Sequence, residues 1–289
     1  MKGIILAGGF GKRLHPLTKS ISKQLLPVYD KPMVYYPLSV LMLAGIKEIL
    51  IISSPQDINK FKLLFGNGNN LGIKIKYKIQ KSPDGIAQAF IIGREFIGKD
   101  NVCLALGDNI FYGQGLTSYL QKASKLKDGA VIFAYQVNDP QRFGIVKFSN
   151  EKNVLDIQEK PKNPKSNFAI TGLYFYDNSV IKIVKNLKPS KRGELEITDI
   201  NKKYLKKKKL KVEILGRGFT WLDSGTCDSL LEASMLVKTI QRRTSNKIAC
   251  IEEISFKNGW ISKEQLAINA KNLGNNDYSR YILNILKES

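Results

Sequence analysis

Gly8-Gly9-Phe10-Gly11-Lys12-Arg13 stands directly after the apolar run Gly3-Ile4-Ile5-Leu6-Ala7, and a further cation, Lys23, follows. Glycines at the end of a strand let the backbone turn sharply and present N–H groups, which hold phosphate oxygens well when cations lie close. An ordinary tight turn also uses glycine pairs; Lys12, Arg13 and Lys23 weigh toward a phosphate site. Two familiar phosphate loops are excluded by single letters. A Walker A loop would need glycine where Leu6 stands and Ser or Thr where Arg13 stands. A dinucleotide fingerprint begun at Gly9 would need Gly or Ala where Leu14 stands, and Asp30 lies in a proline-bounded segment instead of ending a second strand.

Carboxylates supply the second kind of chemistry. Asp108 follows the apolar run Val102–Leu106 and a glycine, and Asp223 follows Trp221-Leu222. A carboxylate at the carboxyl end of a strand can bridge a hard Mg²⁺ to phosphate oxygens, or merely cap a turn. His15 is the only histidine, so Ser-His-Asp, Cys-His and His-rich metal chemistry are unavailable within one subunit. Cys103, Cys227 and Cys250 lie far apart without C-x-x-C spacing, which points to buried or half-buried free thiols instead of zinc or a disulfide framework.

The elements that must carry these residues read as α/β. Apolar runs at Lys2–Ala7, Glu48–Ser53, Ile73–Ile79, Val102–Leu106 and Ala130–Val137 alternate with helical patterns near Met33–Ala44 and Ile86–Phe96, as parallel strands with crossover helices do. From Gly144 shorter strands, Ile145–Phe148, Val154–Gln158 and Ala169–Tyr176, predict an antiparallel or mixed extension. Helices follow at Ser179–Asn186 and Ile197–Tyr204, then a strand Lys211–Ile214 leads to Trp221-Leu222-Asp223. The segment after Gly225 reads as mainly helical, with a last helix around Tyr278–Leu286.

With 289 residues the chain can bury a large core unaided. No segment approaches the roughly 18 to 20 unbroken apolar residues of a membrane span. The run Gly3–Ala7 is shorter than the about 7–15 apolar residues of a signal-peptide core, so a cytoplasmic protein with no membrane partner is expected. The net charge of +21 gathers in runs such as Lys206-Lys207-Lys208-Lys209. Those runs lack interleaved aromatics and any nucleic-acid motif, so they read as a solvated helix end whose field attracts anionic substrates, and no nucleic-acid partner is expected.

Gly8–Leu14 together with Ser22-Lys23-Gln24-Leu25-Leu26-Pro27-Val28-Tyr29-Asp30-Lys31-Pro32-Met33 resembles the signature of the sugar-phosphate nucleotidyltransferase family. The resemblance continues through Ser82–Ala89, Leu106-Gly107-Asp108-Asn109, Glu159-Lys160-Pro161, Ala169–Tyr174, Arg192–Asp199 and Trp221–Thr226, and so spans nearly the whole chain. Within the family it is nearest to the members that use dTTP and glucose 1-phosphate. It implies a Rossmann-like core with a mixed, mainly parallel central sheet, a small antiparallel extension and a helical C-terminal segment. The implied division is a core over 1–224, with its nucleotide-binding part at about 1–138 and its sugar-phosphate-binding part at about 139–224, and a packed helical segment over 225–289 that supplies subunit contacts.

The implied reaction is attack by a glucose 1-phosphate oxygen on the α-phosphorus of dTTP, giving dTDP-glucose and pyrophosphate, at the start of dTDP-rhamnose and related deoxysugar synthesis. The nucleophile is already an anion, so the protein has to align two polyanions and offset their repulsion, work that suits cations and Mg²⁺. The resemblance assigns Asp108 and Asp223 to the metal. Arg13, whose planar fork binds two oxygens at once, falls to the leaving pyrophosphate, and Lys23 to the triphosphate. Lys160 falls to the phosphate of glucose 1-phosphate and Glu159 to sugar hydroxyls.

Base selection falls to Gln80 and Gly85. The loop residues Leu6, Gly8, Gly9, Gly11 and Lys12 are assigned to the nucleotide. Gly144, Ile170, Thr171 and Arg192 lie near the sugar or its phosphate, and Asn109 beside the metal ligand. Phe10, Lys12 and Phe143 depart from the usual residues at their positions; Lys12 can add a phosphate contact, while the two Phe lack a hydroxyl. A homotetramer and a second, inhibitory nucleotide-sugar site are also implied, the latter with no residues assignable from chemistry alone. Uridylyl or cytidylyl transfer is the nearest alternative chemistry; a basic nucleic-acid-binding module and a catalytically silent regulatory relative are more distant ones.

Overall fold

The apolar runs of the first half become the centre of one large sheet. A computed structural model describes residues 1–151 and 153–288; Ser289, the last residue of the expected helical segment, lies outside them. The first seven strands are β1 (Lys2–Ala7), β2 (Pro27–Val28), β3 (Lys31–Pro32), β4 (Glu48–Ser53), β5 (Lys74–Ile79), β6 (Val102–Leu106) and β7 (Asn109–Gly113). Six more follow: β8 (Ala130–Gln136), β9 (Gly144–Phe148), β10 (Val154–Glu159), β11 (Phe168–Tyr176), β12 (Leu210–Leu215) and β13 (Phe219–Asp223).

β6, β1, β4 and β5 are adjacent and parallel, with Ile5 beside Ile51 and Ala105. β11 runs antiparallel to β6 and β8, and the hairpin of β9 and β10 joins its first residues, so the sheet is mixed around a parallel centre. β12 extends it in parallel beside β8.

Central strands are apolar on both faces because helices cover both. Ile5, Ile49 and Ile51 pack under helices Tyr35–Leu43, Ile58–Phe65 and Leu116–Ser124. Ile4, Leu50 and Ile52 pack on the other face against Phe90, Val180, Ile200 and Tyr204. The stretch expected as one helix over Ile86–Phe96 forms two, Gln88–Ile92 and Arg94–Ile97, divided at Gly93, the residue with the poorest helical propensity there.

The lysine runs sit on the exposed side and end of helix Ile197–Lys206, whose opposite side buries Ile197, Ile200 and Tyr204. Cys103 and Cys250 are buried as expected, but Cys227 is exposed, because it opens the helix Cys227–Thr244 at the surface. Three further helices, Ile251–Lys257, Lys263–Asn272 and Asp277–Glu288, complete the chain. Among the described residues no helix is long and apolar enough to cross a membrane.

Candidate active site

Strand pairing, not sequence distance, brings the two aspartates together. The small antiparallel sheet of β7 and β13 puts Asp223 opposite Asn109, the residue after Asp108. The Ser224 N–H then donates to the Asp108 carbonyl at 3.1 Å. Asn109 is the hub of this corner. Its Nδ2 donates to Asp108 Oδ1 at 2.9 Å, while its Oδ1 accepts from Trp221 Nε1 at 2.6 Å and from the Gly172 N–H at 2.9 Å.

Lys23 Nζ donates to Asp108 Oδ2, and the Arg13 guanidinium packs against Gly225 beside Asp223. Arg142 reaches Asp223 Oδ2 at 3.7 Å from its closer partner, Asp139, at 2.6 Å.

The two carboxylates are shifted in opposite directions. Burial pushes Asp108 up, but the charge and hydrogen bond of Lys23 outweigh it and leave the carboxyl below its ordinary value. Burial, reinforced by the negative charge of Asp108, pushes Asp223 up to about 6 against the pull of Lys23, Arg13 and Arg142. A close pair of buried carboxylates with an energetic cost to full ionisation fits a divalent cation, which relieves that cost. Among the described residues no group of three or more His, Cys, Asp and Glu is placed to hold a metal. Two carboxylates with phosphate oxygens and water make a sufficient set for Mg²⁺.

A cavity of about 500 Å³ opens beside the pair, lined by Arg13, Asp108, Asn109 and Asp223 on one side and by Gly144, Glu159, Lys160 and Ile170 on the other. Glu159 ends β10; it accepts from Thr198 Oγ1 and lies 3.5 Å from Arg192 Nη2, which Glu196 holds at 2.9 Å. Burial and then the charge of Glu196 raise the Glu159 pKa. Lys160 carries φ 40°, a left-handed conformation costly for a non-glycine residue, and its N–H donates to the Phe143 carbonyl at 3.0 Å.

The remaining predicted residues take other places. Leu6 accepts the Gly107 N–H through its carbonyl at 3.0 Å and so ties the glycine loop to the Asp108 turn. Gly8 lies against Gln80: a Cβ on Gly8 would stand 2.1 Å from Gln80 Oε1. Gly9 and Phe10 are exposed, Gly11 is half-buried, and the Lys12 amine sits 5.9 Å over the Phe10 ring. Gly85, at φ 111°, abuts Leu195, where a Cβ would come within 2.4 Å of a carbonyl oxygen. Gln80, Gly85 and Arg192 do not line the 500 Å³ cavity, and neither does Thr171, whose buried hydroxyl has no partner among the described residues.

Sequence reasoning missed Arg142, Thr198 and Tyr174, which do line it. Arg142 stands two residues before Gly144 and was the one with a readable signal, a cation beside a site glycine. A separate cavity of about 350 Å³ lies between helix Tyr35–Leu43 and the segment Ile240–Asn258.

The nucleotidyl transferase family model matches residues 2–240. A glucose-1-phosphate thymidylyltransferase of Neisseria meningitidis is 58% identical over 288 residues, covering 100% of both chains. One of Mycobacterium tuberculosis is 52% identical over 289 residues, again covering 100% of each. Among solved structures, a putative glucose-1-phosphate thymidylyltransferase from Bacillus anthracis in complex with a sucrose superposes with a TM-score of 0.76 at 42% identity, over 82% of this chain and 94% of that one.

Proposed function

The chain belongs to the nucleotidyl transferase family, in its glucose-1-phosphate thymidylyltransferase branch, and on that premise we propose that its cleft transfers the thymidylyl group of dTTP to glucose 1-phosphate. The observation that carries the reading is one cavity in which the carboxylates Asp108 and Asp223 meet the cations Arg13, Arg142 and Lys160, with Lys23 on Asp108.

An oxygen of the sugar phosphate attacks the α-phosphorus, the bond from that phosphorus to the bridging oxygen of the β-phosphate breaks, and pyrophosphate leaves with the electron pair. Lys160 holds the attacking phosphate and lowers its repulsion from the triphosphate. Arg13 gathers the charge that grows on the leaving group, through two parallel N–H donors. Lys23 contacts triphosphate oxygens while compensating Asp108. Asp108 and Asp223 would hold Mg²⁺, which supplies positive charge to the phosphate oxygens of the reacting centre.

Glu159, positioned by Thr198 and Arg192, accepts sugar hydroxyls, and Gly144, Ile170 and Thr171 shape that end. Backbone groups of Leu6, Gly8, Gly9 and Gly11 with Lys12 flank the nucleotide, whose base meets Gln80 and Gly85. The functional division falls at about residue 138, with nucleotide contacts before it and sugar-phosphate contacts over 139–224, while 225–289 serves subunit contacts in a homotetramer. The enzyme works in the cytoplasm, without nucleic-acid or membrane partners, at the start of deoxysugar synthesis.

Pyrophosphate release from dTTP, UTP, CTP and ATP, each with glucose 1-phosphate and with galactose 1-phosphate, tests the reading. Highest kcat/KM for dTTP with glucose 1-phosphate is the expected result; a strong preference for ATP refutes it.

A further inference from the structure

Three polar side chains on the nucleotide side form a hydrogen-bonded row with a defined direction. Asp84 Oδ2 accepts from Gln88 Nε2 at 2.9 Å, and Gln88 Oε1 accepts from Gln80 Nε2 at 2.5 Å. Ser82 Oγ holds the other oxygen of Asp84, and the backbone around Asp84 is pinned by the Leu195 N–H, which donates to the Asp84 carbonyl at 2.7 Å. Gln80 is only 3% exposed, so its amide has little freedom to exchange partners with water. Its Oε1 lies against Gly8 at the edge of the glycine loop, and no described residue donates to it.

An ionised carboxylate only accepts, whereas an amide has one accepting and one donating end. Asp84 therefore fixes which end of Gln88 faces it, and the remaining end of Gln88, its oxygen, fixes which end of Gln80 faces Gln88. The row ends with a free carbonyl oxygen and one free amide hydrogen on Gln80. That pair complements an N–H beside a carbonyl, the N3–H and O4 edge of thymine. Cytosine presents the reverse, an acceptor at N3 beside an amino donor.

We propose that Gln88 is a positioning residue for base selection: backed by Asp84, it holds the Gln80 amide in the orientation that accepts thymine and rejects cytosine. The proposal rests on the base-reading role given to Gln80 above. It adds that the discrimination is set by a residue that does not touch the base.

The test compares kcat/KM for dTTP and dCTP with glucose 1-phosphate in three folded variants. Gln88→Glu made together with Asp84→Asn keeps an acceptor facing Gln80 and a donor–acceptor pair with position 84, so the dTTP to dCTP ratio stays within about threefold of the parent. Gln88→Lys presents donors to both Asp84 and Gln80, turns the Gln80 amide over, and lowers the ratio at least about tenfold, through the base-dependent part of KM and kcat. Loss of activity of equal size toward both nucleotides in both Gln88 variants would overturn the proposal, since a purely structural role has no sign. Gln80→Leu separates the premise: if it leaves the ratio unchanged, Gln80 does not read the base; if it collapses the ratio while Gln88→Lys does not, the base reading stands and the positioning by Gln88 falls.

Discussion

Asp108 and Asp223 carry the same side chain in opposite conditions. Lys23 overrides burial at Asp108 and keeps it ionised, while Asp223, buried beside that charge, is pushed up to about 6. The cations divide the same way by shape. Arg13 offers a planar fork, so Arg13→Lys is expected to lower kcat about 100-fold, the usual cost of losing one preorganised donor to a developing anion, with an unchanged melting temperature. A fall below about threefold would remove Arg13 from the leaving-group side.

Glu159 gives the pH dependence. Its pKa is raised above the ordinary carboxylate value, so the acceptor is lost, and kcat/KM for glucose 1-phosphate falls, at a higher pH on the acid side than a solvent-exposed glutamate would give. Burial is the main cause and the charge of Glu196 the next. Glu196→Gln therefore moves the acid limb to lower pH; a limb that stays put or moves up would show that Glu159 does not set it.

At the scale of elements, the site is a set of strand ends and loops docked on one another. The turn at Gly85 sits on Leu195, with the Ala87 N–H donating to the Leu195 carbonyl at 3.2 Å. Gly85→Ala adds a Cβ within 2.4 Å of that carbonyl oxygen and forces a left-handed alanine. The expected loss is about 1–3 kcal/mol, read as a lower melting temperature by about 2–4 °C for each kcal/mol. A parent-like melting temperature would mean that the loop adjusts freely.

β1, β4 and β6 were legible because burial on both faces writes them as nearly unbroken apolar runs, and β5 because its lysines alternate with Ile and Tyr at the strand period. β7 and β13, which unite the aspartates, were not: Asn109–Gly113 has no alternating pattern, and its partner lies over a hundred residues away. Lys23, Asp108 and Asp223 were legible as strand-end and loop residues, and their meaning as a group came from motif resemblance. Thr198 was missed because only tertiary packing turns a helix threonine toward the cavity, whereas Arg142, a cation two residues before a site glycine, left a signal that was not used.

At the scale of the whole molecule, helix Cys227–Thr244 leaves Leu231 and Met235 61% and 60% exposed, on one side with Lys238 and Arg242. Side chains at that spacing share a helix face. If this face joins subunits of the proposed homotetramer, Leu231→Asp with Met235→Asp lowers the mass measured by sedimentation equilibrium below that of four 32.5 kDa chains. An unchanged mass would place the subunit contacts elsewhere.

The central claim is that one cavity performs metal-assisted thymidylyl transfer through two aspartates. It is tested most directly by Mg²⁺-dependent pyrophosphate release from dTTP and glucose 1-phosphate in the parent, Asp108→Asn and Asp223→Asn, at matched concentrations of folded protein. The account predicts that each substitution abolishes most of the turnover while the melting transition persists; near-parental turnover in both folded variants would contradict it.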